Sequence, residues 1–322
     1  MSGFKISSLF VLLFLIVASN VAWSIGKRSG DDYLFIDFGT QNLNKRWTRV
    51  NRKQIHNVKM ILQIIAKSPT GRWLLKVAEE KANKENKRLI DVLAPGSSSL
   101  TDTTLIRRFS ISSPGEIEYE QHSKVFINRD LSVIEAVLDL SHELTHYTFR
   151  KPFNPYHDKF SLQAFIKSTL EEKGGEVDAY IMECKVLFEL YPKKVQKKFQ
   201  CHQIMNEDGV FSRALAIRQF YRIGNHYGQF KSKLKEMGIQ SDFPYLSRNE
   251  AIFISSAYGV PYPVAAFHEF KQVRERACEN DKNRLVLLRK TAGRSPASSS
   301  SDNMNSRIYQ SFLKSFFERC QS

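Results

Sequence analysis

The sequence predicts an α+β protein in which a small sheet packs on one central helix and a largely helical C-terminal lobe follows. Three observations predict it. Residues 115–128 carry β-branched and aromatic side chains between Pro114 and a polar break, the composition of one or two strands. Directly after them Val133, Ile134, Val137, Leu138 and Leu144 recur at steps of three and four, the period of an amphipathic helix. From about residue 162 to about residue 290 the periodicity is again mostly helical. The 322 residues suffice for one large domain or a domain with lobes.

The N-terminus comes first. Lys5 precedes an apolar run, Leu9–Ala18, that is too short to span a bilayer and has the dimensions of a signal-peptide core. Ala22-Trp23-Ser24 offers a small-x-small cleavage pattern, so residues 1–24 are expected to be a signal peptide and the mature chain to begin near Ile25. No cysteine follows the run, which argues against a lipid anchor; an uncleaved membrane anchor is the alternative. Residues 31–38 suit a strand. Residues 51–85 suit helix, with Ile55, Val58, Ile61, Leu62 and Ile65 as a core stripe.

The central helix should start at Ser132, which forms a capping box with Glu135, and run to about Phe149, with Pro152 and Pro155 stopping it. Residues 162–190 read as a helix or a helix pair broken near Gly174-Gly175. Residues 204–290 are mostly helical, with breaks at Gly209, Gly224, Phe243-Pro244 and Gly259–Pro261. The main domain is therefore assigned to 25–292, with its core at 115–190. Residues 293–306 read as a Ser-rich linker and 307–322 as a short amphipathic helix.

Residues 142–146 read His-Glu-Leu-Thr-His. Two histidines four residues apart lie one turn apart on one helix face, so both imidazoles can reach a single metal ion with Glu143 beside them. The alternative is a surface helix with two chance histidines. Catalytic zinc usually keeps three protein ligands and leaves a fourth position to water. A third histidine at the spacing His-Glu-x-x-His-x-x-Gly-x-x-His is absent, since those positions hold Phe149 and Pro152. A downstream carboxylate is the better choice: Glu176 follows the Gly174-Gly175 break, and Ala179, one turn on, is small enough to let its helix approach. Glu172 is the rival ligand.

At these residues the chain resembles the gluzincin metallopeptidases, in which a His-Glu-x-x-His helix is followed by a helix supplying a glutamate, often as Glu-x-x-Ala. Here the matching residues are His142 to His146 and Glu176 to Ala179. The resemblance covers about 115–190, and Ser68–Leu75 looks like the helix leading into such a domain. It implies a zincin-like fold, Zn2+ held by His142, His146 and Glu176, and Glu143 as general base. One departure stands out: thermolysin-type members carry Glu-x-x-x-Asp, whose aspartate supports a zinc histidine, and position 180 is Tyr180. That support must come from elsewhere, with Asp178 and Asp139 as candidates.

Zinc on two neutral imidazoles and a carboxylate lowers the pKa of bound water towards about 7 and polarises a carbonyl oxygen. Glu143, beside the metal but not bound to it, would take the water proton and pass it to the leaving amine. Tyr258, Tyr262 and His268 are candidates for the group that steadies the developing oxyanion, packing and turn roles being the alternative. His157 reads as a loop histidine.

Four cysteines in an export context predict two disulfides. Of three pairings, Cys184–Cys201 with Cys278–Cys320 is the sequence-local one. The net charge is +15, or +14 without Lys5, and such a surplus attracts polyanions. Its densest clusters are Lys193, Lys194, Lys197 and Lys198, and then Arg274 to Arg294, for which solvated helix faces are the default reading. No nucleic-acid-binding motif accompanies them, so no nucleic-acid partner is expected. The expected function is an exported zinc metallopeptidase, secreted or periplasmic, acting on protein or on envelope peptides, with no membrane span left after signal removal. The alternative is a non-catalytic basic envelope or secreted protein that uses the same scaffold for binding.

Overall fold

Ser68 ends one helix and starts the next. In this computed structural model, which describes residues 43–109, 116–157, 160–192, 199–239, 243–292 and 300–320, α1 (Gln54–Ile65) and α2 (Pro69–Lys84) meet there. The Ser68 hydroxyl accepts from the Gly71 N–H as N-cap of α2, and Pro69 sits in the first turn, where its missing N–H costs nothing. Val58, Ile61 and Ile65 are buried as the stripe predicts, but Ile55, in the first turn of α1, is exposed; the buried face runs instead through Asn57, Met60 and Ile64.

A short α3 (Leu89–Val92) leads into β1 (Leu93–Gly96), β2 (Leu100–Phe109) and β3 (Ile117–Asn128). The sheet order is β1-β3-β2. β3 runs parallel to β1 from Leu93↔Val125 and antiparallel to β2 from Leu100↔Phe126 to Phe109↔Ile117. Val125 and Ile127, two residues apart and so on one face, are fully buried. β3 lies where the composition of 115–128 puts strand. β1 and β2 are additional. β2 turns Asp102, Thr103, Thr104 and Arg108 to solvent, so it lacks an apolar alternation, and β1 is too short to show one.

α4 (Val133–Phe149) is the central helix. The Ser132 hydroxyl accepts from the Glu135 N–H at 3.3 Å and Glu135 Oε2 accepts from the Ser132 N–H at 2.9 Å, the reciprocal cap read from the sequence. At the other end Arg150 is already extended, ahead of both prolines. Lys81 of α2 donates to the Tyr147 carbonyl, one of the last-turn acceptors that the helix itself leaves without a partner. α4 packs against α1, α2, β2 and β3. α5 (Leu162–Leu170) and α6 (Glu176–Leu190) form the expected broken pair, and α6 packs along α4.

The C-terminal lobe holds α7 (Phe199–His202), α8 (Arg213–Phe220), α9 (Tyr227–Glu236), α10 (Tyr262–Ala292) and α11 (Ser300–Cys320). The chain is thus α+β with helix predominating. Both sequence-local disulfides form: Cys184–Cys201, with Cα atoms 5.7 Å apart, ties α6 to α7, and Cys278–Cys320, at 5.8 Å, ties α10 to α11. α11 begins inside the stretch read as linker, because Ser300 to Asn303 are residue types that suit a helix N-terminus. Beside its disulfide the fully buried Asp281 accepts from Arg107 of β2 at 2.6 Å and from Arg319 of α11. Arg284, counted from sequence in a solvated basic cluster, is buried instead, 4.2 Å from the Phe312 ring centre.

Among the described residues no helix is long and apolar enough to cross a membrane. The expected signal peptide, the strand at 31–38, the lysines at 193, 194, 197 and 198, and residues 293–299 of the linker lie outside the described residues.

Candidate metal centre

The two glycines between α5 and α6 bring the carboxylate to the histidines. Gly174 has φ +77, and a Cβ there would stand 2.4 Å from the Arg150 backbone nitrogen; one at Gly175 would stand 2.8 Å from the Thr169 carbonyl oxygen. Only glycine fits a left-handed backbone pressed this closely on the end of α4. The Gly174 carbonyl accepts from His146 Nδ1 at 2.8 Å, while its N–H donates to Asp178 Oδ2 at 3.0 Å. Asp178 also holds Arg213 at 3.0 Å. It therefore supports a histidine, but through the Gly174 peptide and not by touching the ring. Ala179 is fully buried on the helix that packs along α4, in keeping with the close approach its size predicts.

His142 Nε2 lies 3.3 Å from Glu176 Oε2, and His146 Nε2 lies 3.5 Å from Glu176 Oε1. The donor atoms of His142, His146 and Glu176 all fall within 4.8 Å of one another, a group that could hold a metal ion. Each imidazole turns its other nitrogen to a fixed acceptor. A carbonyl only accepts, so His146 Nδ1 carries a hydrogen and Nε2 is the nitrogen turned to the site. His142 Nδ1 faces Glu183 Oε2 at 3.3 Å. Glu183 was not foreseen as a partner, although it follows Glu176 by seven residues, two turns along the same face of α6.

Three charged or chargeable groups buried together require compensation. Burial works against both members of the main pair, yet the His142 imidazole is held well above its usual pKa by hydrogen bonds to Glu176 and Glu183, and Glu176 well below by His146 and His142. Protonated His142 thus serves as the counter-ion of two carboxylates, a place that a bound cation would take over with release of the proton.

Glu143 is buried and is not one of the grouped donor atoms. The Thr101 hydroxyl of β2 donates to Glu143 Oε2 at 2.7 Å and lies 2.9 Å from the Glu143 backbone oxygen, so the sheet fixes this side chain against α4. Nothing in the sequence marks Thr101, because the contact joins residues 42 apart across two elements.

Of Tyr258, Tyr262 and His268, only Tyr262 comes close to the His142–His146–Glu176 group. Burial together with the nearby carboxylates of Glu176, Glu143 and Glu183 raises its pKa well above the ordinary value, so it stays protonated. Glu269, two turns further along α10, is also within electrostatic reach of Glu176 and His146; burial raises its pKa and Arg150 opposes this. Tyr258 and His268 stack on each other with ring centres 6.3 Å apart, and burial, followed by Lys233 and Lys271, lowers the His268 pKa. Their environment is a different one.

The rival ligand Glu172 is exposed in the turn, where its carbonyl accepts from the Gly175 N–H. Asp139 lies near Ser99 and His142; burial pushes its carboxyl up to about 6, opposed by Ser99 and His142. His157 is exposed in a loop, as read from the sequence. No protein-family model matches the chain, and no curated protein or solved structure matches it significantly.

Proposed function

We propose that the chain is an exported zinc-dependent metallopeptidase of the gluzincin kind, hydrolysing peptide bonds with Glu143 as general base. The observation that carries this is the convergence of His142, His146 and Glu176 from two helices on one point, with both imidazoles oriented from behind. A tetrahedral zinc with bonds of about 2.0–2.1 Å sets its ligand atoms about 3.3–3.4 Å apart. The two histidines face different oxygens of Glu176, at 3.3 and 3.5 Å, and the three donor atoms lie within 4.8 Å of one another, so the side chains close in by about an ångström to take the ion. When bound, zinc would supply Lewis acidity, lowering the pKa of a water and polarising the scissile carbonyl.

The chain's own groups perform the rest. Glu143, held by Thr101, takes a proton from the attacking water as its oxygen bonds to the carbonyl carbon. As the C–N bond breaks, Glu143 passes that proton to the leaving nitrogen. The Tyr262 hydroxyl, a donor kept protonated beside the Glu176 carboxylate, is the group proposed to steady the oxygen that gains charge. Two disulfides accord with export to an oxidising compartment. Protein is the proposed substrate, with envelope peptides as a narrower class.

Metal analysis of the purified mature protein tests the assignment. About one zinc per chain is expected, lost in His146→Ala together with chelator-sensitive cleavage of unfolded protein or envelope peptides. Absence of zinc from the wild type, or its unchanged retention in His146→Ala, contradicts it.

A further inference from the structure

On the outer side of α8, away from its buried Ala216, Ile217 and Phe220, a cavity of about 420 Å³ is lined by Arg218, Gln219, Arg222, Tyr245, Ser247 and Asn249 among others. Its wall is rigid. Ser247 donates its N–H to the Tyr221 carbonyl and accepts from the Ile223 N–H, each at 3.1 Å, and its hydroxyl accepts from the Asn249 N–H at 3.1 Å. Two arginines therefore line one cavity, and no carboxylate lines it. Neither arginine takes part in an ion pair among the described residues. Arg222 donates one Nη1 bond of 2.8 Å to the neutral Gln219 amide, while its Nε is buried without a hydrogen-bond partner among the described residues.

Two like charges four residues apart repel. The repulsion is relieved by one ligand, a compact dianion with several acceptor oxygens, which guanidinium N–H groups bind through charge-assisted hydrogen bonds. Gln219 and Asn249 add neutral donors, and the Tyr245 ring offers a flat wall for whatever carries the anion.

We infer that this cavity, which is separate from the metal centre, is a binding site for a phosphate group, either the free ion or a phosphomonoester on a larger molecule. The tested protein is the full mature chain with its disulfides, titrated with inorganic phosphate by calorimetry at constant ionic strength set with chloride. Saturable binding with a Kd of about 1 mM or tighter is expected. It should be the same in metal-loaded and chelated protein, which distinguishes it from phosphate meeting a metal. Arg218→Gln and Arg222→Gln should each weaken it about tenfold or more, and the double variant should abolish it. Arg218 is exposed, so its variant keeps the fold and the test interpretable. Phenyl phosphate separates the sources: binding at least as tight as inorganic phosphate identifies a phosphomonoester, and its exclusion identifies the free ion. A non-saturable response equal to that of chloride, or binding unchanged in the double variant, overturns the inference.

Discussion

Glu183 Oε2 stands 3.3 Å from Nδ1 of His142, on the opposite side of the ring from Glu176, so one imidazole is held between two carboxylates of the same helix. The outer carboxylate fixes the ring's orientation and would increase the basicity of the nitrogen offered to a metal ion. Glu183→Gln should therefore leave the fold and the stoichiometry intact while weakening zinc affinity by about 10–100-fold. Competition with a fluorescent chelator measures this, and unchanged affinity would remove Glu183 from the centre.

The choice between two glutamates four residues apart is equally direct. Glu176→Gln should weaken zinc retention severely, because it removes a ligand; Glu172→Gln, at an exposed turn, should leave it unaltered. Metal content after dialysis decides between them.

Asp139 gives the apo protein a pH signature. Burial raises its carboxyl from an ordinary 3.8 to about 6, so the folded state binds its proton more tightly than the unfolded state does. The stability this contributes is fully present below about pH 4 and is lost as pH rises through about 6. Asp139→Asn keeps a partner for Ser99 without the charge. In chelator it should raise stability at pH 7.5 by about 1–3 kcal/mol relative to wild type, with little gain near pH 4, since one pKa unit is worth about 1.4 kcal/mol. Urea denaturation at both pH values checks the sign.

What the sequence carried well was local. The period of Val133 to Leu144, the Ser132–Glu135 box and the four-residue spacing of the histidines are all written within one helix, and the helix and its cap formed as read. Gly174-Gly175 was recognisable as a break, but its closer purpose, letting a peptide approach Arg150 and present a carbonyl to His146, depends on what α4 brings alongside. β2 was missed because an edge strand facing water has no apolar alternation, and Thr101 was missed with it. Glu183 and Glu269 had a signal, a seven-residue spacing from Glu176 and from Tyr262, that gains meaning only once those residues are known to face the site.

The most direct test of the central claim is Glu143→Gln. The amide is nearly isosteric and can keep the contact with Thr101, and the residue is not among the metal donors, so fold and zinc content should match wild type. It cannot accept the water proton, and peptide cleavage near neutral pH should fall by about 10²–10⁴-fold. Equal cleavage by wild type and Glu143→Gln at equal zinc content, or no chelator-sensitive cleavage by wild type across a broad peptide library, would contradict the account.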